Sequence, residues 1–363
     1  VRILDPFADL TPSLRSVEIE DNDRLADKAT IVLGDPQGFT REGVRRGLQI
    51  VVDVGWQDEH TPIFHGKIST VGDSSSGSGS SMTVVAYDMS IIMHHAPGRS
   101  YGPGTLEDVL RDVISYYSDL GIGELRLDSN PQFDERQTPP ASMTDLQYLQ
   151  YLALKYRARA FVEYVPGADV TGQSKFYFIS ERELASRTPE ARLRCCGGFQ
   201  ELINFDFQRV ATQQTPFRPA TVMNPQTGEA STSDPGPRPP DPPPEPDPSR
   251  DAAADTLGTG GSARSMAQVG SAGAANEAAM VQQLRTAGLP SDPQLAELMS
   301  RPDPTTLLGL RGQGNVVGNV NLRAKSMVRI SGITSYAAGN WYVRVARHKV
   351  QNGNYTTEIL VTR

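Results

Sequence analysis

Apolar and polar residues alternate over much of the first ninety positions. In Leu48-Gln49-Ile50-Val51-Val52-Asp53-Val54-Gly55-Trp56, positions 48, 50, 52, 54 and 56 are all apolar. A period of two marks a half-buried strand, because successive side chains point to opposite faces of a sheet. Val17 and Ile19 alternate with Glu18 and Glu20 in the same way, and further strands are predicted at 29–33, 63–71 and 82–87. Asp21-Asn22-Asp23 reads as a turn between strands, and GDSSSGSGSS (72–81) reads as a long flexible hairpin loop. Short strands separated by turn signals predict a small antiparallel barrel or sandwich.

From 105 to 119 the period changes. Leu106, Val109, Leu110, Val113, Ile114 and Tyr117 share one face of a helix. Thr105 is the expected N-cap, Asp108 stands in the first turn, and Gly121 is the expected stop. A second helix is predicted at about 145–157, opened by a capping box of Thr144 and Gln147, with Leu146, Leu149, Ala153 and Tyr156 on one face. Strands are predicted at 160–165 and 175–179, so this middle part is α+β.

Residues 202–210 form another predicted strand, with Ile203, Phe205 and Phe207 on one side. The pattern then breaks. PGPRPPDPPPEPDP (235–248) holds nine prolines in fourteen residues, and such a segment neither joins a sheet nor continues a helix. As polyproline II it would span about 43 Å at ~3.1 Å per residue. It reads either as a spacer or strap along a neighbouring subunit, or as a solvated linker. Weak helical patterns follow at 276–287 and 292–300.

Alternation returns after Asn321. Val328 and Ile330 flank Arg329, Trp341, Val343 and Val345 alternate with Tyr342, Arg344 and Ala346, and Gln351-Asn352-Gly353-Asn354 is a hairpin turn. Tyr355, Thr357, Ile359 and Val361 make one face of the last strand. The strand at 202–210 is expected to close one barrel with the strands after 321, across the insertion.

Length and charge narrow the choices. A chain of 363 residues exceeds one ordinary small domain. Lys+Arg 35 against Asp+Glu 42 leaves a net charge of -7, which argues against a sequence-specific duplex-binding domain. DNA could still pass through a channel, since a pore should not grip its cargo. Cys195 and Cys196 are adjacent and read as two reduced residues. No apolar run approaches the ~20 residues needed to cross a bilayer, so no membrane insertion is expected. The first residues given, which do not begin with Met, show no charged-then-apolar run, so no leader is expected from them. A reducing cytoplasm is the expected place of synthesis and assembly.

Candidate chemistry is sparse. His60, His65, His94, His95 and His348 show no zinc spacing, and His94-His95 would point opposite ways on a strand. Asp21-Asn22-Asp23 lacks the glycine and distal Glu of a calcium loop. Arg311-Gly312-Gln313-Gly314-Asn315-Val316-Val317-Gly318 has the wrong spacing for a phosphate-cradling loop and reads as a surface loop. No nucleophile elbow occurs. The expected assignment is therefore no catalytic residue, no cofactor, no metal, and no enzyme. A glycan-cleaving carboxylate pair is set in space rather than in sequence, so a tail-associated peptidoglycan hydrolase stands as the alternative. A carbohydrate-binding β-protein would need exposed aromatics, whereas Trp56 and Trp341 both sit on apolar strand faces.

Several segments, taken in order, resemble one family. SVEIEDNDRLADKATIVLGDP, GVRRGLQIVVDVGW, PIFHGKISTV and MTVVAYDMS open the resemblance. Gly104-Thr105-Leu106-Glu107-Asp108-Val109 and MTDLQYLQYLALKYRARAFV continue it, and Leu322-Arg323-Ala324, Gly339-Asn340-Trp341-Tyr342-Val343 and His348 close it, ending in Arg363. The chain resembles the late-control protein D group of phage tail baseplate hubs, kin to the hub part of type VI secretion spike proteins and of extracellular contractile injection systems. The resemblance covers roughly 13–210 and 320–363; the long Pro-rich insertion departs from it.

That resemblance implies a mainly β fold with an α+β module. Residues 1–97 would form a first β-barrel tube domain, 98–198 the α+β middle domain, 199–212 with 308–363 a discontinuous second β-barrel tube domain, and 213–307 a Pro-rich, weakly helical insertion. It further implies a structural homotrimer whose pseudo-hexameric ring joins a six-fold tail tube to a three-fold spike. Its partners would be a separate trimeric tail spike protein, tail tube proteins or tube initiators, and baseplate wedge components. Its place would be the virion tail baseplate. Glu18, Glu20 and Asp53 are the expected lumen-lining positions.

Overall fold

The computed structural model describes residues 1–4, 8–34, 42–56, 59–76, 79–96, 98–165, 173–195, 201–209, 220–223, 230–233, 305 and 309–363. The Pro-rich stretch, the two helices expected at 276–287 and 292–300, and Cys196 lie outside the described residues.

Two short strands, β1 (Arg2–Ile3) and β2 (Ala8–Asp9), precede β3 (Leu14–Asn22), β4 (Lys28–Gly34), β5 (Gln49–Trp56), β6 (Glu59–Ser76) and β7 (Gly79–Asp88). Their alternate residues, among them Ile19, Ile31, Ile50, Val52, Ile68 and Val84, form one buried cluster. The Ser-rich run is strand rather than loop: β6 and β7 stay paired out to Ser76 opposite Gly79. Gly72 to Ser75 are exposed there, so backbone pairing without burial carries the ribbon, and small polar residues suit both of its faces.

The middle module contains β8 (Gly104–Thr105), α1 (Leu106–Ser115), β9 (Gly121–Arg126), β10 (Gln132–Phe133), α2 (Asp145–Lys155), β11 (Ala158–Val165), β12 (Gln173–Ser180) and α3 (Glu181–Ser186); β13 (Ala191–Arg194) follows and pairs with a strand of the carboxyl-terminal part, its Ala191 and Leu193 packing in that part's core. Both expected capping boxes are formed, Thr105 with Asp108 and Thr144 with Gln147. The first helix is shorter than expected, and Gly121 opens β9 instead of stopping the helix. β9 runs parallel to β12. Gly123 lies under the Tyr177 ring, where a Cβ would come within 2.5 Å of Cζ, which explains a glycine inside a strand. The helices and the β11-β12-β9 sheet share a second cluster built on Leu106, Leu110, Leu149, Phe176 and Phe178.

The carboxyl-terminal part contains β14 (Leu202–Arg209), a separate hairpin of β15 (Ala220–Met223) and β16 (Ala230–Ser233), then β17 (Leu310–Val317), β18 (Met327–Ser331), β19 (Gly339–Gln351) and β20 (Asn354–Thr362). β14 pairs with β17 and β17 with β20, across the insertion. The glycine-rich stretch read as a loop is thus β17. A Cβ on Gly312 would come within 2.5 Å of Phe205 Cζ; glycine is there to admit the ring, and that makes a strand look like a loop. Trp341, Val343, Ile330 and Ile359 belong to the third cluster. A bulge between Val343 and Val345 reverses the alternation of β19, so Ala346 and His348 face inward while Val345 is half-buried.

β19 joins the two ends of the chain. It pairs with β20 on one edge, and on the other with β18 at Gly339–Tyr342 and then with β3 at Val345–Gln351. The result is one 13-stranded sheet in the order β14-β17-β20-β19-β3-β4-β7-β6-β5-β1-β2, with β18 and β13 branching off β19. The architecture is mainly β, with an α+β module set between two β-rich ends.

Candidate functional site: a buried charged junction

The three parts of the chain meet at a cluster of buried charges. On β3, Val17 and Ile19 face the core, and the same parity continues to Asp21 and Asp23, both about 1% exposed. The segment expected to be a simple turn therefore sends two carboxylates inward. Only Asn22 does turn work, its Oδ1 accepting the N–H groups of Arg24 and Leu25 at 3.0 and 3.2 Å.

Lys325 stands at the centre, 3% exposed and with a φ of 64°. Its Nζ donates to Asp21 Oδ1 at 2.6 Å and to the Asn22 carbonyl at 3.1 Å, and it lies 2.8 Å from Glu163 Oε1 and 3.6 Å from Asp27 Oδ1. Asp21, Asp27 and Glu163 present oxygens close enough to chelate a metal ion. Here the ammonium of Lys325 supplies the cation. Arg323 completes this half, donating to Asp21 at 2.6 Å and Glu163 at 2.9 Å.

The second half lies around Asp23. Arg159 of β11 pairs with Asp23 at 3.3 Å and with Glu181 at the start of α3. Arg344, at the bulge of β19, lies 3.6 Å from Asp23, and Arg24 lies 3.8 Å from Glu181. Burial raises the Asp21 and Asp23 carboxyls, but the surrounding cations, Lys325 and Arg323 at Asp21 and Arg344, Arg159 and Arg24 at Asp23, outweigh it and hold both below the usual carboxylate range. For Lys325, burial lowers the ammonium and the carboxylates of Asp21, Asp27 and Glu163 raise it further, well above the ordinary lysine value. Removing one partner from such a network costs more than the pair contributes, since the other charge stays buried.

A second contact fastens the module to β6. His65 is 6% exposed, with Nε2 3.1 Å from Gln49 Oε1 and Nδ1 2.8 Å from Ser174 Oγ of β12. Gln49 Oε1 can only accept, so Nε2 carries the proton and Nδ1 accepts from the serine. Burial, aided by Lys67, lowers the imidazole pKa to about 4.

Across the sheet, a polar row runs in register opposite the cores. Glu358 of β20 faces Arg347 of β19, Arg347 faces Glu20 of β3, Glu20 faces Lys28 of β4, Lys28 faces Tyr87 of β7, and Tyr87 faces Lys67 of β6. Arg347 binds Glu20 at 3.0 Å and lies 3.6 Å from Glu358. Glu18 stands next to this row, beside Lys349. Of the expected lumen residues, Glu18 and Glu20 share this surface, while Asp53 lies on β5, bound to Arg2 at 2.7 Å.

The remaining candidates are dispersed. His94 and His95 are exposed and follow a 3-10 turn (Met89–Met93) rather than lying on a strand. His348 is buried in β19, its Nδ1 2.8 Å from the Tyr355 hydroxyl. Trp341 is fully buried, its indole N–H bound to the Ala337 carbonyl at 2.9 Å. Trp56 is 47% exposed, contrary to the alternation; it ends its strand and lies against Tyr355, bound to the Gly318 carbonyl. In the middle module, Asp145 is held by Tyr101, Tyr117 and Arg99.

The fold is similar to those of solved phage-tail and type VI secretion proteins. It aligns with the tail protein from Neisseria meningitidis MC58 at a TM-score of 0.59 and 13% identity, over 96% of this chain and 91% of that one. It aligns with the 43 kDa tail protein of prophage MuSo2 from Shewanella oneidensis at 0.55 and 12%, over 96% and 94%. The E. coli c3393 protein, a component of the type VI secretion system, aligns at 0.58 and 8%, over 96% and 73%. No family model and no curated protein matches the sequence. Identities this low carry the fold and not the role.

Proposed function

We propose that this chain is the structural baseplate hub of a contractile phage tail or a related injection machine. The observation that carries the reading is the end-to-end match with two tail proteins, over 96% of this chain in each case. In this reading three copies close a pseudo-hexameric ring, with residues 1–97 and 199–212 plus 308–363 as its two tube domains. The 98–198 module is the bracket between them, and 213–307 is an insertion. The ring seats a trimeric spike on one side and the tail tube on the other, with wedge components around it, in a virion assembled in the host cytoplasm. Its task is mechanical and not enzymatic.

The physical logic supports an adaptor. A ring covers exposed sheet edges by pairing them between subunits. The polar row at Glu20, Lys28, Arg347 and Glu358 alternates in sign, so it offers moving cargo no block of one charge.

Light scattering on the purified chain, with and without the cognate spike protein, tests the reading. The expected result is a species of three times 39.4 kDa, ~118 kDa, either alone or induced by the spike. A monomer that ignores the spike and cleaves cell-wall material would overturn it in favour of the hydrolase.

A further inference from the structure

Where the chain leaves the amino-terminal sheet for the middle module, two aspartates clasp each other. Asp88 ends β7, and its N–H donates to the Asp27 carbonyl at 2.9 Å. The Asp27 N–H donates back to Asp88 Oδ2 at 2.6 Å, while Asp88 Oδ1 accepts the N–H of Ser90 at 2.7 Å and so starts the turn that opens the module. Asp27 Oδ1 accepts the N–H of Asn22 at 2.9 Å. Asp27 and Asp88 are each 6% exposed.

The charges facing this pair do not balance. Asp27 faces Asp21 of β3, Glu163 of β11, Asp88, and the cations Lys325 and Arg323. Lys325 is also the cation felt at Asp88. His348 of β19, which senses Asp21 and Arg323, is buried and adds no charge at neutral pH. Lys325 and Arg323 are already matched by Asp21 and Glu163 at 2.6 to 2.9 Å. Asp27 shares Lys325 with them at 3.6 Å, so four carboxyls, Asp21, Glu163, Asp27 and Asp88, face two cations, and a buried carboxyl in such a surplus neutralises by keeping its proton.

We propose that Asp27 and Asp88, clasped through their backbone N–H groups where the middle module joins the amino-terminal sheet, are buried together with a proton, and that the junction is weakened by the added buried negative charge as that proton leaves. Burial, with Asp21 next, outweighs Lys325 and pushes the Asp27 carboxyl well above its ordinary range, and burial pushes Asp88 up to about 6 against the hydrogen bonds from Ser90 and the Asp27 N–H and the pull of Lys325. Such a pair titrates as a unit. The direction follows from linkage. The folded chain keeps protons that the unfolded chain gives up near pH 4, so the clasp's contribution is full in acid and is lost as pH rises through the folded values. This is opposite to the behaviour of Asp21 and Asp23 in the same junction. The inference concerns the chain itself and does not depend on the hub reading.

Asp27→Asn is the test, because it removes the charge and keeps Oδ1 for the Asn22 N–H. In urea unfolding of the full chain, the ratio of folding constants, variant over wild type, is expected to rise more than tenfold between pH 5 and pH 7; taking the ratio cancels the histidines. Infrared difference spectra give a readout that a merely structural role would not move. The wild type should show a protonated-carboxyl C=O band at pH 7, weakened or lost in Asp27→Asn. A pH-independent ratio, or a wild type without that band at pH 7, would overturn the proposal.

Discussion

His65 shows how one side chain ties a module in place and sets an acid limit. Its neutral form is held between Gln49 and Ser174, and burial lowers its pKa from 6.5 to about 4. The unfolded chain therefore binds a proton that the folded chain refuses between those values. This stabilisation is complete above pH 6.5 and is lost as pH falls towards 4. His65→Gln is expected to lose about 2 kcal/mol less than the wild type between pH 7 and pH 5 in urea unfolding. Equal losses in the two proteins would mean that the folded chain protonates His65 freely. Nothing in the sequence around Phe64-His65-Gly66 marks this histidine, because its partner Ser174 is more than a hundred positions away. Asp21 and Asp23 were nearer to being readable. They continue the inward parity of Val17 and Ile19, but a carboxylate at a core position is costly, and the compensating Lys325 lies three hundred residues along the chain.

Strands with clean alternation were readable, and those that depend on a contact were not. β3, β4 and β20 follow their patterns and β5 does as far as Val54, with Trp56 the exception, and both capping boxes form as read. β9 and β17 were missed because glycines stand where a ring from a neighbouring strand needs room, Tyr177 over Gly123 and Phe205 over Gly312. The bulge in β19 was missed because alternation carries no sign of an extra residue. Gly312→Ala is expected to destabilise by about 1–3 kcal/mol, since the new methyl must push Phe205 off the Trp341 edge it packs against. Pairing it with Phe205→Leu, which leaves space over position 312, should recover part of that loss. If the double variant is as unstable as the sum of the two single ones, the ring is not what requires glycine.

Two β-rich ends read along the chain suggest two independent units, yet β19 makes them one sheet and the charged junction adds the middle module to it. Cooperativity should follow from these connections. Strands shared between cores cannot be lost by one core alone, and the junction draws on β3, β11, α3 and β19 at once. Calorimetry on the wild type is expected to show a single transition whose calorimetric and van't Hoff enthalpies agree. Lys325→Ala leaves Asp21 and Glu163 facing each other in a buried site without their shared ammonium, which should cost roughly 3–5 kcal/mol. The loss should fall on the junction, because the clusters around Leu110 and Ile31 make no use of Lys325. The middle module should then melt before the sheet, splitting the transition in two. A Lys325→Ala protein that still melts in one step, merely at lower temperature, would show that packing between the clusters, and not the ion network, makes the molecule one unit.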